Sequence, residues 1–419
     1  MKTIWIIDHY SSEPKHGGVS RQYDFAKELS KRGYKVVIIA SSFSHYTHSY
    51  ISEDNCAICS ISDNAYYAYL KTFPYETNRG TGRIKSMFSF KHAVRKYCGQ
   101  IAEQCGKPDV VVGCSIHPLA WLAAYKVAKK YNVKFIAEVR DLWPEMWRLN
   151  GEKQWYDPMV LFFGFIEKIT YKRANKIIYS MLYGDKYICD KLGFPKDKVA
   201  LIGQPLDCER FDEDAVLKEY LIPQDIINFI GDSFLCVFTG YYMDYEGVYV
   251  MLEAAKVLKQ KQLPIKMVFV GSGTEKDGMI KYMQENALNN VYVGDRISKE
   301  AIPALLRKAD ICMAHCATKD KEESFKYGIS KNKVNEYLYS NSCIIYGRND
   351  PEDPVSKFGA GFVVKPFSAE EFSEKIEVIY NMTKEERAVF AANGRNYAIN
   401  YHRVDKLVDK LLEVYDINN

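Results

Sequence analysis

Short apolar runs alternate with amphipathic helical patterns along most of the chain. Runs this apolar predict strands buried on both faces, and their alternation with helices predicts parallel sheets covered by helices on both sides. The runs lie at 3–7, 35–40, 109–112, 134–137 and 176–179 in the first half, and at 235–238, 266–270, 290–293, 310–313 and 343–346 in the second. The sequence therefore predicts an α/β fold built from two successive strand–helix series.

The length of the chain predicts two domains, because 419 residues exceed what one ordinary core accommodates. We predict a first Rossmann-like domain over 1–203 and a second over 204–395, both doubly wound and facing each other across a cleft. Helical periodicity predicts a C-terminal helix within 396–419, which either caps the second domain or packs back on the first, as we expect. Ligands of such sheets bind at the carboxyl ends of the strands, so the loops there are the candidate sites.

Composition limits the classes of function. A formal net charge of +4 is too small for a general nucleic-acid binder. Cys56 and Cys59 form one CxxC pair without the second pair that structural zinc usually needs, which favours reduced thiols in a cytoplasmic protein. We expect no signal peptide, and the most apolar run, 159–166, is far shorter than the roughly 20 residues that span a bilayer.

The segment 328–338 contains the most informative candidate site. Ser330 is a suitable N-cap for a helix with an apolar face. Lys331 and Lys333 then fall in the first turn, where the helix dipole disfavours a cation by roughly 0.3–1 kcal/mol. Their position is explained if an anion such as a diphosphate binds the exposed amides. Glu336 shares a helix face with Lys333, which suggests a sugar-nucleotide pocket; two solvated lysines on a surface helix are the alternative.

Glycines mark two further strand-end loops. Gly17 and Gly18 precede a helix whose first turn contains Arg21, again a cation at a helix start; a turn beside a surface arginine is the alternative. Gly271 and Gly273 follow a predicted strand. As a phosphate-binding motif they are weak, and they would more plausibly let a nucleoside approach the backbone closely. In the loop after the next strand, Arg296 would line the same wall.

Two polar loops follow strands of the first half. His117 lies in one of them, where a histidine could contact a substrate hydroxyl or transfer a proton, although most lone histidines do neither. The other loop contains Arg140, Asp141, Trp143 and Glu145. Carboxylates commonly bind sugar hydroxyls and aromatic rings bind the apolar faces of sugars. The alternative is a structural ion pair of Arg140 with Asp141 or Glu145.

Taken together, these loops resemble those of family 4 glycosyltransferases, which have the GT-B fold of two Rossmann-like domains. The resemblance covers nearly the whole chain. It rests on Gly17 and Gly18 with the helix end at 31–33, on 140–145, on 269–273 and on 328–338. The most similar branch contains bacterial enzymes that build O-antigen, capsule or exopolysaccharide repeats.

The resemblance implies a retaining, metal-independent transfer of a sugar from a nucleotide-sugar donor. Glu336 matches the second glutamate of the family's Glu-x7-Glu signature, which is expected on the donor ribose. Lys333 matches a lysine expected on the diphosphate, and His117 and Asp141 match positions expected to contact the acceptor or the reacting sugar. No metal or other cofactor is expected.

The expected site residues therefore fall into three groups. The catalytic residues are His117, Asp141 and Lys333. The donor-binding residues are Gly17, Gly18, Arg21, Gly240, Tyr241, Gly271, Gly273, Arg296, Ser330, Asn332, Lys333 and Glu336. The acceptor-side residues are Arg140, Trp143 and Glu145.

The chain departs from the family pattern at three positions. The first glutamate of the signature would fall at Gly328. After Thr239 and Gly240 the wider family often has an arginine and then a lysine before glycine, whereas Tyr241 and Glu246 stand at those places here. Lys333 and the helix amides would then carry more of the phosphate charge.

The expected function is transfer from a nucleotide sugar, expected to be UDP-linked, to a saccharide or a polyprenyl-diphosphate-linked saccharide in cell-surface polysaccharide synthesis. A sugar-nucleotide epimerase and a non-catalytic nucleotide-sugar-binding protein are the alternatives. Basic residues near Met87, Phe88 and Phe90 suit an anionic membrane surface, which suggests peripheral attachment to the inner face of the cell membrane; a solvated helix flanked by core residues is the alternative. No nucleic-acid partner is expected.

Overall fold

The computed structural model describes residues 1–17, 21–77, 80–317, 326–328, 331–350 and 353–417. Its strands are β1 (Thr3–Ile7), β2 (Lys35–Ser41), β3 (Cys56–Ser62), β4 (Ala65–Leu70), β5 (Val110–Cys114), β6 (Lys134–Val139), β7 (Lys176–Tyr179), β8 (Val199–Leu201), β9 (Phe234–Tyr241), β10 (Ile265–Ser272), β11 (Val291–Gly294), β12 (Ile311–His315), β13 (Cys343–Gly347) and β14 (Gly361–Val364). Its α-helices are α1 (Arg21–Lys31), α2 (Thr81–Cys105), α3 (Pro118–Tyr131), α4 (Glu145–Leu149), α5 (Pro158–Arg173), α6 (Cys208–Leu217), α7 (Gln224–Ile230), α8 (Val248–Gln260), α9 (Lys276–Glu285), α10 (Ile302–Lys308), α11 (Asn332–Tyr339), α12 (Pro354–Lys357), α13 (Ala369–Tyr380), α14 (Lys384–Tyr401) and α15 (Val404–Tyr415).

These elements form two compact units. The first contains Met1–Pro205 together with 326–328 and 404–417, and the second contains 206–317 and 331–403. The first unit has an eight-stranded sheet in the order β3-β4-β2-β1-β5-β6-β7-β8, in which only the β3–β4 pair is antiparallel. The second has a six-stranded, wholly parallel sheet in the order β11-β10-β9-β12-β13-β14. The α/β fold with two parallel-strand domains is thus confirmed.

Each sheet has one place where the strand order reverses. In the first sheet β1 pairs with β2 on one side and with β5 on the other. In the second sheet β9 pairs with β10 on one side and with β12 on the other. Crevices at the carboxyl ends of strands form at such reversals, so the loops after β1 and β5, and those after β9 and β12, are where ligands are expected.

Apolar side chains on both faces explain why the strands are parallel and covered. Ile4 and Ile6 of β1 pack in one cluster, while Trp5 and Ile7 pack in another on the opposite face. In the second unit, alternate residues of β9 and β10 pack against α8 and α13. Successive side chains of a strand point to opposite faces of the sheet, so both faces of these strands are apolar. Helices on both sides of the sheet bury the two faces.

The C-terminal segment is divided between the units. The continuous helical pattern of 396–415 is two helices, because α14 ends at Tyr401 and α15 begins at Val404. The second unit therefore extends past residue 395 to Arg403. In the first unit α15 packs against α1, with Leu407 and Leu411 buried in the cluster that holds Phe25.

The apolar runs in the sequence did not predict four strands, β3, β4, β8 and β14. β3 and β4 form a hairpin whose outer strand, β3, is only partly buried, so its residues lack the continuous apolar character of the inner strands. β8 has three residues and β14 has four. Short strands at the edges of a sheet bury little apolar surface, which leaves a weak sequence signal. None of the helices in the described ranges is long and apolar enough to cross a membrane.

Candidate functional site

The carboxyl end of β1 in the first unit carries a buried acidic group. Asp8 is 1% exposed, and its Oδ2 accepts a hydrogen bond from a terminal nitrogen of Arg140 at 2.8 Å. The alternative considered for Arg140, an ion pair with Asp141 or Glu145, is therefore replaced by a pair with Asp8. Asp8 and Glu138 outweigh the effect of burial and raise the pKa of Arg140, so this arginine is held as a cation at the end of the sheet.

A serine after β5 fixes the loop that follows β6. Ser115 Oγ accepts hydrogen bonds from the backbone amides of Arg140 at 2.9 Å and Asp141 at 3.4 Å. Asp141 itself is exposed. The predicted catalytic carboxylate thus lies at the carboxyl edge of the sheet, on a loop whose backbone is anchored, and is open to a ligand.

Two histidines from neighbouring strand-end loops form a buried pair. His9 Nδ1 lies 2.7 Å from His117 Nε2, and the His9 ring stacks between Tyr10 and Phe90 at centroid distances of 4.4 Å. His117 has no exposed surface, and its Nδ1 has no hydrogen-bond partner in the described part of the chain. Burial, with Arg83 nearby, lowers the pKa of His117 to about 3, so the ring is neutral at physiological pH. The predicted substrate contact at His117 needs movement of the side chains that cover it.

Arg21 lies in the interior of the first unit. It is 1% exposed, and its Nε donates to Glu138 Oε1 at 2.8 Å. Its terminal nitrogens donate to the carbonyls of Ile202 at 3.0 Å and Gly203 at 2.5 Å. Although burial opposes it, the charges of Arg21 and Arg140 lower the pKa of Glu138. This corrects the predicted role of Arg21, because its guanidinium holds the loop after β8 instead of facing a ligand.

The two remaining acceptor-side residues are engaged with neighbours. Glu145 is buried, and its Oε1 accepts hydrogen bonds from Arg148 at 2.7 Å and Lys191 at 2.5 Å. A contact of this carboxylate with an acceptor would have to displace those cations, so the predicted acceptor contact of Glu145 stays a prediction. Trp143 is partly buried against Trp147 at 4.2 Å between ring centroids, with the Arg83 guanidinium 5.7 Å from its ring.

In the second unit, a carboxylate binds both lysines at the start of α11. Lys331 Nζ donates to Glu246 Oε1 at 2.9 Å, and Lys333 Nζ donates to Glu246 Oε2. The Glu246 side chain is 7% exposed, and those of Lys331 and Lys333 are 13% and 12% exposed. The cations that the sequence places at a helix start are therefore partly balanced within the protein, by the residue that departs from the family pattern.

The charges at this cluster do not cancel. One carboxylate faces two ammonium groups, so the three side chains carry a net positive charge. Burial by itself would lower the pKa of Lys331. The electrostatic effects of Cys316 and Glu246 are larger together, so the pKa of Lys331 is raised. At Lys333 the effect of burial is larger than that of the Glu246 carboxylate, which would raise the pKa. The pKa of Lys333 is therefore lowered to about 8. Lys333 Nζ also lies 4.0 Å from the centroid of the Phe238 ring, a cation–π contact.

The first backbone amides of α11 have no capping side chain among the described residues. The N-cap position is Lys331, one residue later than predicted. Asn332 is the first helical residue and is partly buried, as is Glu336. Free amides beside Lys333 are the arrangement that binds phosphate at helix starts.

Glycines at the ends of β9 and β10 allow this packing. Gly240 has φ +139°, and a Cβ there would lie 3.2 Å from Lys333 Nζ. A Cβ on Gly271 would lie 1.8 Å from the carbonyl oxygen of Gly240, and one on Gly273 would lie 2.2 Å from that of Tyr242. Gly271 and Gly273 therefore allow close packing of two strand ends, and the approach of a nucleoside to them stays a prediction.

The other predicted residues are distributed around these groups. Tyr241 at the end of β9 is 49% exposed, and Arg296 after β11 is exposed. Gly17 has a left-handed φ of +79° at the end of a short 3-10 helix, Pro14–His16. Gly18 and Ser330 lie outside the described residues.

The predicted residues are thus brought together in two groups, one in each unit. His117 follows β5 and Arg140 and Asp141 follow β6, so all three lie at the carboxyl edge of the first sheet, and Gly240 packs against Lys333 at the carboxyl end of β9. Sequence reasoning missed Asp8 and His9. Both residues could have been found from their position, because they directly follow the first apolar run and therefore lie at the carboxyl end of a predicted strand.

Family models match both halves of the chain. The model described as Glycosyltransferase Family 4 matches residues 16–210, and the model described as Glycosyl transferases group 1 matches residues 224–397. No curated protein sequence matches the chain.

Solved structures share the fold over the whole chain. Sucrose-phosphate synthase from Thermosynechococcus elongatus has 15% sequence identity and a TM-score of 0.73, with 99% of this chain and 98% of that chain covered. HepE from Anabaena, crystallised with UDP and glucose, has 13% identity and a TM-score of 0.65, with 100% of both chains covered. WaaG, a glycosyltransferase involved in lipopolysaccharide biosynthesis, has 13% identity and a TM-score of 0.65, with 99% and 100% covered.

Proposed function

Because the chain belongs to the glycosyltransferases, with a family 4 domain followed by a group 1 domain, we propose that it moves a sugar from a UDP-linked donor to a saccharide or lipid-linked saccharide acceptor. The observation that carries this proposal is the pair of lysines at the open start of α11. A nucleoside diphosphate is an anion with two phosphates, and the cluster offers backbone amides and excess positive charge at one place.

Lys333 is the proposed electrophilic group for the leaving diphosphate. Negative charge grows on the diphosphate as its bond to the sugar breaks, and a fixed ammonium group nearby stabilises that charge more than the ground state. A single well-placed donor of this kind contributes roughly 3–4 kcal/mol to the reaction. Lys331 and Glu246 would hold Lys333 at the required place, since Glu246 binds both ammonium groups.

The remaining donor contacts are proposed on the same unit. Glu336 lies one turn after Asn332 on α11 and would accept hydrogen bonds from the donor ribose. Tyr241 is exposed beside Gly240 at the end of β9, where an arginine is common in the family. A tyrosine there could contact the donor without adding positive charge, which leaves the diphosphate dependent on Lys333 and the helix amides.

The acceptor is proposed to meet the first unit at the carboxyl ends of β5 and β6. Asp141 is exposed and would bind an acceptor hydroxyl. His117, neutral and paired with His9, would supply a hydrogen bond and no charge. Retention of configuration and independence from metal ions remain part of the proposal, with the positive charge supplied by lysine side chains.

The place of the reaction in the cell follows from the proposed acceptor. A polyprenyl-diphosphate-linked saccharide of a capsule or O-antigen repeat would be met at the inner face of the cell membrane. Peripheral attachment of a cytoplasmic protein would then bring the acceptor-side residues to that surface.

Thermal-shift screening against a panel of nucleotide sugars tests the donor assignment. A ligand selective for the native state at 100 times its Kd stabilises it by about 2.7 kcal/mol, so one UDP-sugar should raise the Tm clearly above the others. Product analysis with that donor alone and with saccharide acceptors should show acceptor-dependent release of UDP. Conversion of the donor sugar without an acceptor would indicate an epimerase, and binding without turnover would indicate a non-catalytic protein.

A further inference from the structure

One face of the first sheet is covered by a layer of strongly basic helices. The layer consists of α2, α3 and α5, with α3 packed between the other two. These helices carry eleven lysines and arginines and only two acidic residues. In the whole chain the two kinds are nearly balanced, with 57 lysines and arginines and 53 aspartates and glutamates. The near-neutral chain therefore concentrates its positive charge on one layer.

The two acidic residues of the layer do little to offset this charge. Glu103 lies in the last turn of α2. Glu167 of α5 is 1% exposed and accepts hydrogen bonds from the hydroxyls of Tyr171 at 3.0 Å and Tyr187 at 2.9 Å. Since Glu167 points into the unit, the outward side of the layer is dominated by lysine and arginine.

The outward side of α5 is apolar in its first half. Phe162 is 47% exposed and Phe165 is 64% exposed, whereas Phe163 and Ile166 on the inner side are buried. The remaining exposed large side chains of this region are Trp155 at 67%, Tyr156 at 62% and Leu161 at 55%. Exposed large apolar side chains grouped along one segment, in contrast to single scattered ones, mark an interaction site.

The same side of α5 is basic in its second half. Lys168 and Lys172 follow Phe165 at spacings of three and seven residues, which places all three along one stripe of the helix. Both lysines are exposed. On α2, Phe88 is 46% exposed, with the Lys91 ammonium 5.8 Å from its ring.

The apolar ends of these helices lie near the proposed acceptor residues. Each of the three helices connects two parallel strands, so its first turn lies at the carboxyl edge of the sheet. His117, the N-cap of α3, lies at this edge. Arg83 in the first turn of α2 donates to the Tyr10 hydroxyl at 3.1 Å and lies over Trp143. The exposed aromatic residues are therefore at the edge where an acceptor is proposed to bind.

We propose that this layer docks on an anionic lipid bilayer. The exposed side chains would enter the interface between head groups and acyl chains, namely Phe88, Trp155, Tyr156, Leu161, Phe162 and Phe165. The lysines and arginines of the layer would contact anionic head groups. The positive charge of the layer favours an anionic surface. The exposed aromatic and aliphatic side chains favour lipid over a nucleic acid. Docked this way, the carboxyl edge of the first sheet faces a lipid-linked acceptor.

Docking on these helices rests on the proposed function for its membrane acceptor, but vesicle binding itself does not require the transfer reaction. Sedimentation with vesicles of phosphatidylcholine, with and without phosphatidylglycerol, tests it on the full chain. The protein should sediment with the phosphatidylglycerol vesicles only, and the bound fraction should fall as salt rises. A variant without transferase activity, such as Lys333→Ala, should bind as well as the natural chain, so failure of the proposed reaction would leave this result unchanged.

Two double variants separate the two parts of the surface. Phe162→Ser with Phe165→Ser removes apolar contact, and Lys168→Glu with Lys172→Glu reverses two charges. The charge-reversal variant should weaken vesicle binding at least about tenfold, since each lysine near the surface contributes about 1 kcal/mol. The serine variant should also weaken it at least about tenfold, since it removes two large apolar side chains from the lipid interface. The matched controls on the second unit are Leu217→Ser with Tyr220→Ser, which are 64% and 76% exposed, and Lys281→Glu with Lys384→Glu.

The controls should bind vesicles as the natural chain does, and all variants should keep its Tm. Equal sedimentation with both kinds of vesicle would overturn the proposal. So would equal binding by the α5 variants, or binding to single-stranded DNA as tight as that to phosphatidylglycerol vesicles, which would indicate a general polyanion surface.

Discussion

The ammonium group of Lys333 is bound by the carboxylate of Glu246, a residue 87 positions earlier in the chain. The same carboxylate binds Lys331, so one negative charge is shared between two positive ones. The two lysines are therefore held in place by Glu246, and positive charge is left over. In the proposed reaction this excess charge would bind the diphosphate, together with the first amides of α11, which no side chain in the described part of the chain caps.

Replacing Lys333 by alanine tests the leaving-group role. Loss of one preorganised electrostatic donor should lower kcat by about 100- to 1,000-fold. The Tm should change little, because Glu246 keeps Lys331 as a partner. Lys281→Ala, an exposed lysine of α9, is the control and should keep full turnover. Near-normal transfer by Lys333→Ala would remove this lysine from the mechanism.

The lowered pKa of Lys333 predicts a pH dependence. Burial brings this pKa to about 8 in the unliganded protein, and only the protonated amine binds phosphate. The value of kcat/KM should therefore be highest below pH 8 and fall as the pH rises through that value, because kcat/KM reports the free enzyme. A bound diphosphate stabilises the ammonium form, so kcat should fall at a higher pH.

A Lys333→Arg variant identifies the titrating group. Arginine stays protonated throughout this range, so the decline near pH 8 should disappear whatever the residual activity. An unchanged decline in the arginine variant would assign the titration to another group.

Replacing Glu246 by glutamine tests whether this carboxylate balances the lysines. Two buried ammonium groups would lose their partner, which should destabilise the second unit by about 3 kcal/mol and lower the Tm. UDP should then raise the Tm more in the variant than in the natural chain, because its phosphates replace the lost charge. Glu377→Gln, which breaks an exposed pair with Lys261, is the control and should have little effect. A smaller UDP-induced shift in the Glu246 variant would contradict this view of the cluster.

Arg21 is predicted to act on stability alone. Arg21→Met leaves Glu138 as a buried carboxylate without its closest cation, which should destabilise the first unit by roughly 3–5 kcal/mol. The affinity for UDP at a temperature where the variant is folded should equal that of the natural chain, as measured by calorimetry. A selective loss of UDP affinity, with the Tm preserved, would restore the donor contact expected from the sequence.

Most strands of the two sheets were predictable because their signal is local, although the parallel strands β4, β8 and β14 were missed. Strands such as β2 and β10 are buried on both faces, so nearly every residue in them is apolar and the run is visible in sequence. The β3–β4 hairpin has a partly exposed outer strand, and β8 is too short to show any pattern. The break between α14 and α15 was also invisible, because the helical pattern continues across it.

The site was only partly predictable because its charges are paired over long distances. Lys333 was identified from its place in the first helical turn, which is local information. Its pairing with Glu246 joins two strand-end loops that only the folded sheet brings together. Asp8 and Arg140, separated by 132 positions, are a second case. For Arg21, sequence suggested a ligand contact, whereas burial in the folded unit makes it structural.

A crystal structure with bound UDP tests the role of Lys333 most directly. We expect a diphosphate oxygen at about 2.7–2.9 Å from Lys333 Nζ, with the first amides of α11 directed at the same phosphate. Phosphorus atoms bound elsewhere on the second unit, with Lys333 still held by Glu246 and no phosphate in contact with α11, would contradict it.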